Sequence, residues 1–353
     1  MLSHLTLQNF RNYKKSSFDF KDKSLIIIGP NTAGKSNLIE SIFLLSTGKS
    51  FRAEKDSQMV KIGHELGKVK ARVGDTDLEV GVTVGEVAGV RAQYKRFFVN
   101  GVAKRRADFV GNFPSVLFSP QDLEVVVGSP GLRRSFLDNV LDQTDRDYRI
   151  ASLGFSKALK QRNALLEIAK ETGARHEKEF EYWDSLVIRN GNVITRKREE
   201  FINYLNSSKK SIFDFKIEYD KSIISKERLE QYKDAESATG VTLVGPHRDD
   251  FKILFDYGVG ELVELKSFGS RGQQRLGVIQ LKLLELSYVH DNIDTKPIFL
   301  LDDVFSELDE GHINLILGII DNQQTIVTTT HEEFIPAKIQ RTMEIIELNN
   351  AKV

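Results

Sequence analysis

The stretch GPNTAGKSN, residues 29–37, constrains the fold more than any other part of the sequence. An apolar run, SLIII, precedes it, and the apolar residues Leu38, Ile42 and Leu45 follow it at helical spacing. Short apolar runs of this kind are typical of strands buried on both faces of a sheet, so the pattern predicts a strand, a glycine-rich loop and a helix. The unpaired N–H groups at the start of such a helix, and the positive end of its dipole, favour a bound phosphate.

The spacing of this loop follows GxxxxGK[ST], the P-loop pattern of nucleotide-binding proteins. Gly29 and Gly34 permit the tight loop, Lys35 reaches the outer phosphates of a nucleotide, and Ser36 can be a ligand of Mg²⁺. The other loop residues expected to contact the nucleotide are Asn31, Thr32, Ala33 and Asn37. The alternative is that the match to the pattern is accidental. This alternative is the weaker one, because the match lies at a predicted strand-to-helix boundary.

Composition excludes several classes of site. The chain has 353 residues, enough for two domains or for one large domain with an insertion. Lys+Arg and Asp+Glu are 50 each, so any nucleic-acid contact must come from local basic patches. Cysteine is absent, which excludes disulfides, thiolate metal sites and a cysteine nucleophile. No apolar run approaches the roughly 18 residues of a membrane span and the first residues lack a signal-peptide pattern, so a cytoplasmic protein without a membrane partner is predicted.

The middle of the chain changes from strand patterns to helix patterns. Residues 69–102 alternate apolar and polar residues, and Asn100-Gly101 is typical of a hairpin turn, so an antiparallel β-layer is predicted. The segment SVLFSPQD predicts a strand that ends in a loop at Pro120-Gln121. From 131 to 205 apolar residues recur at helical spacing, which predicts a helical subdomain with an antiparallel helix pair.

The C-terminal third contains a second candidate for nucleotide chemistry. Ile298 to Leu301 predict a buried strand with Asp302 and Asp303 at its carboxyl end, where ligands bind in open α/β sheets. Two aspartates after a strand can also form a turn or cap a helix. Beside a P-loop, Asp302 can hold the Mg²⁺ of the nucleotide, and Asp303 can orient or deprotonate water.

Two further segments have both a functional and a structural interpretation. In SFGSRGQQRLG, Ser270 is a candidate N-cap and Gly272 allows close backbone approach before an amphipathic helix from Gln273. This is a second phosphate-binding helix start, or simply a capped helix. The strand pattern TIVTTT ends at His331, which is either a loop residue or a catalytic one.

The order of these segments resembles the ABC-type ATPase heads of the SMC-like family, and more narrowly the bacterial RecF family of recombination mediators. The segments that carry the resemblance lie between residues 5 and 331 and are NFRNY, GPNTAGKSN, FSPQDLEVVVGSPGLRRSFLD, TLVGPHRDDF and DDVFSELD. The resemblance implies an α/β fold, an ABC-type P-loop ATPase head with a mixed sheet, an antiparallel β-layer and an inserted, mainly helical arm. The implied domains are the N-terminal part of the head at 1–126, the arm at 127–238 and the C-terminal part of the head at 239–353.

The resemblance also implies a role for each motif residue. It implies Lys35 on the β- and γ-phosphates, Ser36 and Asp302 on Mg²⁺, and Gln121 as the Q-loop residue that senses metal and water. Asp303 occupies the position of the usual catalytic Glu. The remaining implied nucleotide contacts are Arg11 and Asn12, the signature residues Ser270, Arg271, Gly272 and Gln273, the D-loop residues Leu308 and Asp309, and the switch histidine His331.

Two departures from the family pattern lead to expectations of their own. Asp303 is one methylene shorter than Glu, so slow hydrolysis is predicted. Arg271 replaces the first Gly of the usual SGGQ, and either contacts a partner's nucleotide or pairs locally. In this family the signature of one protomer closes the nucleotide site of the other, so the implied active unit is an ATP-bound homodimer.

The leading hypothesis is an ATPase that dimerises on ATP binding, binds double-stranded DNA near gaps or junctions and helps to load recombinase, with slow hydrolysis driving release. Proteins of the RecR and RecO type are partners implied by the resemblance. The basic candidates for DNA contact are Lys104, Arg105, Arg106, Arg196, Lys197 and Arg198. For each of them an ordinary solvated face is the favoured alternative. The alternative functions are an ABC-type ATPase subunit coupled to a membrane or other protein partner, and a P-loop small-molecule kinase.

Overall fold

The computed structural model describes residues 1–20, 24–258, 260–304, 323–330, 333, 335 and 343–348. The strands within these ranges are β1 Leu2–Phe10, β2 Tyr13–Asp19, β3 Ser24–Ile28, β4 Leu66–Val73, β5 Thr76–Thr83, β6 Glu86–Val87, β7 Val90–Arg91, β8 Lys95–Val99, β9 Val102–Lys104, β10 Ser115–Phe118, β11 Lys216–Asp220, β12 Asp250–Asp256, β13 Leu262–Glu264, β14 Ile298–Asp302, β15 Thr325–Thr329 and β16 Glu344–Glu347. The helices are α1 Lys35–Thr47, α2 Arg106–Phe109, α3 Glu124–Val127, α4 Pro130–Thr144, α5 Arg146–Thr172, α6 Glu177–Ser207, α7 Lys226–Gln231, α8 Lys233–Thr239, α9 Leu265–Phe268 and α10 Arg271–Asn292.

Packing divides the chain into two compact units. One unit combines 1–121 with 286–353, and the other is 122–285. The limits predicted for an inserted arm, 127–238, stay a prediction, because the limits of an insertion and the limits of a compact unit are separate properties.

The first unit contains a five-stranded sheet in the order β10-β14-β15-β3-β16. All four pairings between these strands are parallel, so their carboxyl ends lie at one edge. Asp302 of β14 pairs with Thr328 of β15, and Thr328 in turn pairs with Ile27 of β3. The two buried strands predicted from the sequence are therefore β3, before the P-loop, and β14, before the two aspartates. They lie in the same sheet and are separated by one strand, β15.

A second sheet in this unit is antiparallel and has the order β2-β1-β4-β5-β8-β9. Its last two strands form the hairpin predicted at Asn100-Gly101, and both turn residues have positive φ angles of 51° and 77°. Positive φ at both positions is the requirement of a type I′ turn, which explains the Asn-Gly pair. The predicted α/β class with an antiparallel β-layer is confirmed. Among the described residues of this unit, antiparallel pairing occurs in that layer, in the β6–β7 ribbon and at an isolated bridge between Phe10 and Val60.

Helix α1 fills the space between the two sheets. It packs on β10, β14 and β15 of the parallel sheet and on β4 and β5 of the antiparallel sheet. Every residue from Leu38 to Thr47 is buried, so the helix is enclosed on all sides rather than amphipathic. This enclosure holds the start of α1, and therefore the P-loop, at a fixed position.

The unit 122–285 is mainly helical, as the sequence predicts. Arg162 of α5 pairs with Asp184 of α6 at 2.6 Å, and Gly154 of α5 lies against the side chain of Asn190 of α6. Residues earlier in one helix meet residues later in the other, so the pair is antiparallel and this prediction is confirmed. A three-stranded antiparallel sheet, β11-β12-β13, completes the unit. Among the described residues of the chain, no helix has the length and apolar character required to cross a bilayer.

Candidate nucleotide site

The carboxyl edge of the parallel sheet brings the predicted motifs together. The loop 29–34 follows β3, Asp303 follows β14, and the single turn Pro120–Leu123 comes shortly after β10. Parallel register places the ends of these strands side by side. The crevice beyond the carboxyl ends of parallel strands is the usual position of a ligand in an open α/β sheet.

The P-loop has a conformation that its glycines make possible. Gly34 has φ +96°, and a Cβ there would lie 2.8 Å from both the Asn12 amide nitrogen and the Tyr13 hydroxyl. Gly29 has ordinary φ, but a Cβ there would lie 2.6 Å from the carbonyl oxygen of Leu348. Both positions therefore exclude a side chain, one by backbone angle and contact and the other by contact alone.

Lys35 is folded back onto its own loop. Its Nζ donates to the carbonyl oxygens of Gly29 at 2.6 Å and Pro30 at 3.0 Å, and the residue is only 7% exposed. Burial lowers the pKa of the Lys35 ammonium, while the nearby carboxylates of Asp303 and Asp302 act in the opposite direction. The ammonium is thus held inside the loop, where the phosphates of a nucleotide would lie.

Ser36 and Asp302 are in direct contact. The Ser36 hydroxyl donates to Oδ1 of Asp302 at 3.0 Å, and the Thr328 hydroxyl donates to the same oxygen at 2.8 Å. Asp302 is 6% exposed. A hydroxyl and a carboxylate in contact beside a phosphate-binding loop fit Mg²⁺, which is usually bound through one or two carboxylates together with substrate phosphates.

Asp303 has an unusual backbone conformation. Its φ is +56°, in the left-handed region that Asp and Asn enter more readily than other residues with side chains. Its backbone N–H is 3.1 Å from both the carbonyl oxygen and the hydroxyl oxygen of Thr328. Strained backbone of this kind concentrates at functional sites and persists where neighbours hold it, here β15.

The turn between β1 and β2, together with the first residue of β2, contacts the P-loop. The Asn12 amide donates to the carbonyl oxygen of Thr32 at 3.5 Å and accepts from Asn37 at 2.7 Å, while the Tyr13 hydroxyl donates to the carbonyl oxygen of Gly34 at 3.0 Å. Asn12 thus contacts both the loop and Asn37. Within the loop Asn31 and Thr32 are exposed, whereas Ala33 is buried.

Arg11 is held by protein groups in this structure. Its guanidinium donates twice to the carboxylate of Glu40, at 2.7 and 2.6 Å, and once to the carbonyl oxygen of Gln58 at 2.8 Å. Glu40 is fully buried in α1. Arg11 therefore braces α1, and its expected contact with a nucleotide stays a prediction.

Three residues at this site were missed by the sequence reasoning. Tyr13 directly follows Arg11 and Asn12 in NFRNY. Because these two residues were expected to contact the nucleotide, their neighbour Tyr13 could also have been expected near the site. Thr328 lies in the run TTT before His331, but nothing in the run indicates which threonine contacts Asp302. Glu40 gives no local signal, because its partner Arg11 is 29 positions away.

Gln121 and the signature residues are accessible to solvent. Gln121 is exposed in the turn Pro120–Leu123. At the start of α10, the Ser270 hydroxyl accepts from the Gln273 N–H at 3.2 Å, and the Gln273 side chain accepts from the Ser270 N–H at 2.9 Å. This reciprocal pair is a capping box, so the predicted N-cap is confirmed, with the helix starting at Arg271. Arg271 and Gly272 are exposed and belong to the unit 122–285. The predicted contacts Leu308, Asp309 and His331 lie outside the described residues.

Of the basic residues predicted after the hairpin, Lys104 and Arg105 are exposed. Arg106 instead donates to the carbonyl oxygen of Thr47 at 2.7 Å. That carbonyl lies at the C-terminal end of α1, where cations and donors complement the helix. Arg106 therefore has a structural contact that competes with binding to DNA.

The basic residues on α6 differ from one another. Arg196 is exposed, and Lys197 pairs with Asp145 at 2.8 Å, a hydrogen bond that raises the pKa of the lysine. Arg198 is only 4% exposed and donates to Asp138 at 2.7 Å and to Asp249 at 2.9 Å. A buried guanidinium paired with two carboxylates is part of the core of its unit, which argues against the expectation that Arg198 contacts DNA.

The chain is similar to known proteins over nearly its whole length. The family model described as "RecF/RecN/SMC N terminal domain" matches residues 1–352. A "DNA replication and repair protein RecF" from Moorella thermoacetica is 35% identical, over 98% of this chain and 94% of that protein. The protein of the same name from a Cyanothece species is 33% identical, over 98% of this chain and 96% of that protein.

Two solved structures are similar over nearly the whole chain. The structure titled "recombination mediator protein RecF-ATPrS in RecFOR pathway" has a TM-score of 0.85 at 30% identity and covers 99% of this chain and 96% of that one. The corresponding RecF-ATP structure has a TM-score of 0.84 at 31% identity, with 95% and 93% covered.

Proposed function

This chain belongs to the RecF family, within the RecF/RecN/SMC group of ABC-type ATPases, and we propose that it is an ATP-dependent, DNA-binding recombination mediator. The observation that most directly supports ATP binding is the contact between Ser36 and Asp302 beside the P-loop. Lys35 lies within that loop, where its ammonium donates to the carbonyl oxygen of Gly29. The two solved relatives are described as RecF-ATPrS and RecF-ATP, which supports ATP as the ligand of this site.

The roles of the site residues follow from their positions. Lys35 leaves the carbonyl oxygens of its own loop and binds the β- and γ-phosphates, since an ammonium gains more from a phosphate than from a neutral carbonyl. The backbone N–H groups of 32–36 bind the phosphate oxygens at the start of α1. Ser36 and Asp302 hold Mg²⁺, which when bound neutralises part of the phosphate charge.

Hydrolysis depends on how water is oriented. Asp303 is the group proposed to orient or deprotonate the attacking water, with Gln121 following β10 as a second contact for water and metal. The side chain of Asp303 starts from a strained backbone position and is shorter than that of Glu. The rate of hydrolysis falls when the carboxylate that activates water lies too far from it, so slow turnover is expected.

The signature residues are proposed to act across a dimer. Ser270, Arg271 and Gly272 are exposed at a capped helix start, which is the arrangement expected of a phosphate-binding surface offered to another molecule. In the proposed ATP-bound homodimer the signature of one protomer closes the nucleotide site of the other. Slow hydrolysis then opens the dimer and releases DNA.

The DNA partner and the accessory proteins are proposed from family membership. The titles of the solved relatives place those proteins in the RecFOR pathway. We propose that this chain binds double-stranded DNA near single-strand gaps or junctions and works with partners of the RecR and RecO type. Lys104, Arg105 and Arg196 are the predicted basic candidates that remain exposed.

The molar mass in solution tests the composite site. It is measured without nucleotide, with ADP and with ATP-Mg²⁺ for the wild type, Lys35→Met and Ser270→Arg. A dimer found only with ATP-Mg²⁺ and lost in both variants supports the proposal, because one variant removes the phosphate contact and the other blocks the signature. A monomer under all conditions overturns the dimer and favours a kinase that works as a monomer.

A further inference from the structure

A cavity of about 490 Å³ lies at the amino ends of the parallel strands, on the edge of the sheet opposite the nucleotide site. Residues that lead into three adjacent strands line it, with Pro114 before β10, Lys296 before β14 and Gln323 before β15. The turn between β4 and β5 lines it from the antiparallel sheet. Small-molecule sites typically have volumes of about 300 to 1,000 Å³, so this cavity has the size for a ligand.

Backbone hydrogen bonds hold the walls of the cavity in place. The Ile298 N–H donates to the carbonyl oxygen of Pro114, and the Phe299 N–H donates to that of Gln324, both at 2.9 Å. The side-chain amide of Gln324 also donates to the carbonyl oxygen of Leu2 and accepts from the Leu2 N–H, each at 2.8 Å. These bonds join the starts of β1, β14 and β15 to the residue before β10. The cavity is therefore formed before any ligand binds, which lowers the cost of binding.

Part of the wall is apolar. Phe113 and Ile298 are 4% and 2% exposed, belong to the hydrophobic core of the unit and line the cavity, and Val73 lines it beside them. Apolar surface at a cavity favours a ligand that covers it with an apolar group of its own.

Gln323 contributes a polar group without a partner. The residue is 9% exposed, and its side-chain nitrogen is buried and has no hydrogen-bond partner. The adjacent Gln324, equally buried, has both ends of its amide paired with Leu2. An unpaired buried donor costs stability and is uncommon in folded proteins, so it requires an explanation. An acceptor atom of a ligand in this cavity would supply the missing partner.

The charge at the cavity is positive. Lys296 is exposed and lines the cavity, and none of the residues that line it is an aspartate or a glutamate. A cation and an amide donor at one cavity favour an anionic acceptor, because hydrogen bonds to a charged group are stronger than those between neutral groups.

We propose that this cavity binds a small carboxylate with an aromatic or branched apolar body. The body lies against Phe113 and Ile298, and the carboxylate accepts from the Gln323 side-chain nitrogen close to the Lys296 ammonium. The site is separate from the nucleotide site and does not depend on the proposed ATPase. The alternative is a cavity that holds only water.

Binding of 2-naphthylacetate to the full chain without nucleotide tests the ligand class. Ligand-observed NMR is expected to show one saturable site with a Kd of about 1 mM or tighter, the affinity ordinary for a ligand of this size. 2-Naphthylethanol has the same apolar body without the charge and is expected to bind about tenfold more weakly. No saturable binding of the acid, or equal affinity for the acid and the alcohol, overturns the proposal.

Three variants locate the site. Gln323→Leu is expected to weaken binding of the acid about tenfold and Lys296→Met about threefold, while Lys104→Met, at an exposed lysine that does not line the cavity, keeps the wild-type affinity. Wild-type affinity in Gln323→Leu, or an equal loss in Lys104→Met and Lys296→Met, places the acid elsewhere and overturns the proposal.

Thermal unfolding separates a binding role of Gln323 from a structural one. Gln323→Leu replaces an unpaired buried donor by an apolar group of similar size, so without ligand it is expected to unfold at the wild-type temperature or above it. A lower unfolding temperature means that the amide supports the fold and overturns its role in binding. Thr76→Trp, which fills the cavity from the start of β5, is expected to abolish binding of the acid. Unchanged binding in Thr76→Trp overturns the proposal, and if that variant does not fold, Gln323→Leu decides.

Discussion

Ser36 and Asp302 lie 266 positions apart in the chain, yet the hydroxyl of one donates to the carboxylate of the other at 3.0 Å. The contact exists because β15 lies between β3 and β14, and Thr328 of β15 donates to the same oxygen from the side. The start of α1, which follows the loop after β3, and the two strands β14 and β15 thus meet at one carboxylate oxygen. A site built this way is stiff before any ligand arrives, which lowers the cost of ordering it.

The first prediction concerns that carboxylate. Asp302→Asn is expected to weaken Mg²⁺-dependent ATP binding about tenfold or more, because an amide replaces the carboxylate that is proposed to hold the metal. Titration calorimetry with ATP, in Mg²⁺ and in excess EDTA, measures it. Thr328→Val is the control, since it removes the hydrogen bonds of the Thr328 hydroxyl with Asp302 and with the Asp303 N–H but keeps the carboxylate. An equal loss in both variants would show that packing and not metal binding is responsible.

The second prediction concerns Gly29. A Cβ there would lie 2.6 Å from the carbonyl oxygen of Leu348, so Gly29→Ala is expected to lower the free energy of unfolding by about 1–3 kcal/mol. Gly81→Ala is the matched control, because a Cβ at Gly81 meets nothing within 4 Å. Urea unfolding compares the two. Equal stability of both variants would mean that the carbonyl of Leu348 does not lie against Gly29 as described.

The third prediction concerns the rate of hydrolysis. Asp303→Glu is expected to raise the single-turnover rate, because the longer side chain brings the carboxylate nearer to the attacking water. A small loss of stability accompanies it, since the backbone has φ +56° and Glu tolerates that region less well than Asp. Rapid-quench measurement of ADP formed by ATP-saturated enzyme gives the rate. A wild type faster than Asp303→Glu would contradict this account.

The fourth prediction concerns pH. Burial raises the pKa of the Glu285 carboxyl to about 7, even though Lys282 favours its charged form. The unfolded chain releases that proton near pH 4.5, so between pH 4.5 and 7 the folded state holds one proton more than the unfolded state. The contribution to stability is therefore complete below pH 4.5 and is lost as the pH rises through 7.

Denaturant unfolding at several pH values between 5 and 8 measures this dependence. Glu285→Gln keeps the shape of the protonated carboxyl and is expected to remove that part of the slope. Glu230→Gln, at an exposed position on α7, is the control. A slope in Glu285→Gln identical to that of the wild type would assign the proton to another group.

The fifth prediction separates two neighbouring arginines on α6. Arg198→Met is expected to cost about 3–5 kcal/mol of stability, because it leaves Asp249 and Asp138 facing an uncharged side chain in the core. Arg196→Met should change stability by less than about 0.5 kcal/mol, since its pair with Glu200 is exposed. Only Arg196→Met can therefore be tested cleanly for a loss of salt-sensitive binding to duplex DNA.

The sequence by itself determined the local elements of this protein. The apolar run before residue 29 and the helical spacing after residue 35 predicted β3, the P-loop and α1. Asn100-Gly101 predicted the hairpin, and Ser270 predicted the cap of α10. Each of these features depends on residues within a few positions of one another. Helices and strands that are buried on one face repeat their apolar residues at a fixed spacing, and this spacing is visible in the sequence without knowledge of the rest of the fold.

Tertiary structure alone decided which side chains meet. Arg196, Lys197 and Arg198 are consecutive and identical in charge, yet the first is exposed, the second forms a half-buried pair with Asp145 and the third is buried between Asp138 and Asp249. Arg11 meets Glu40, and Lys282 meets Asp122, across separations that carry no periodic signal. The partner of a charged side chain depends on which elements pack beside it, and that packing is set by long-range burial of apolar surface rather than by neighbouring residues.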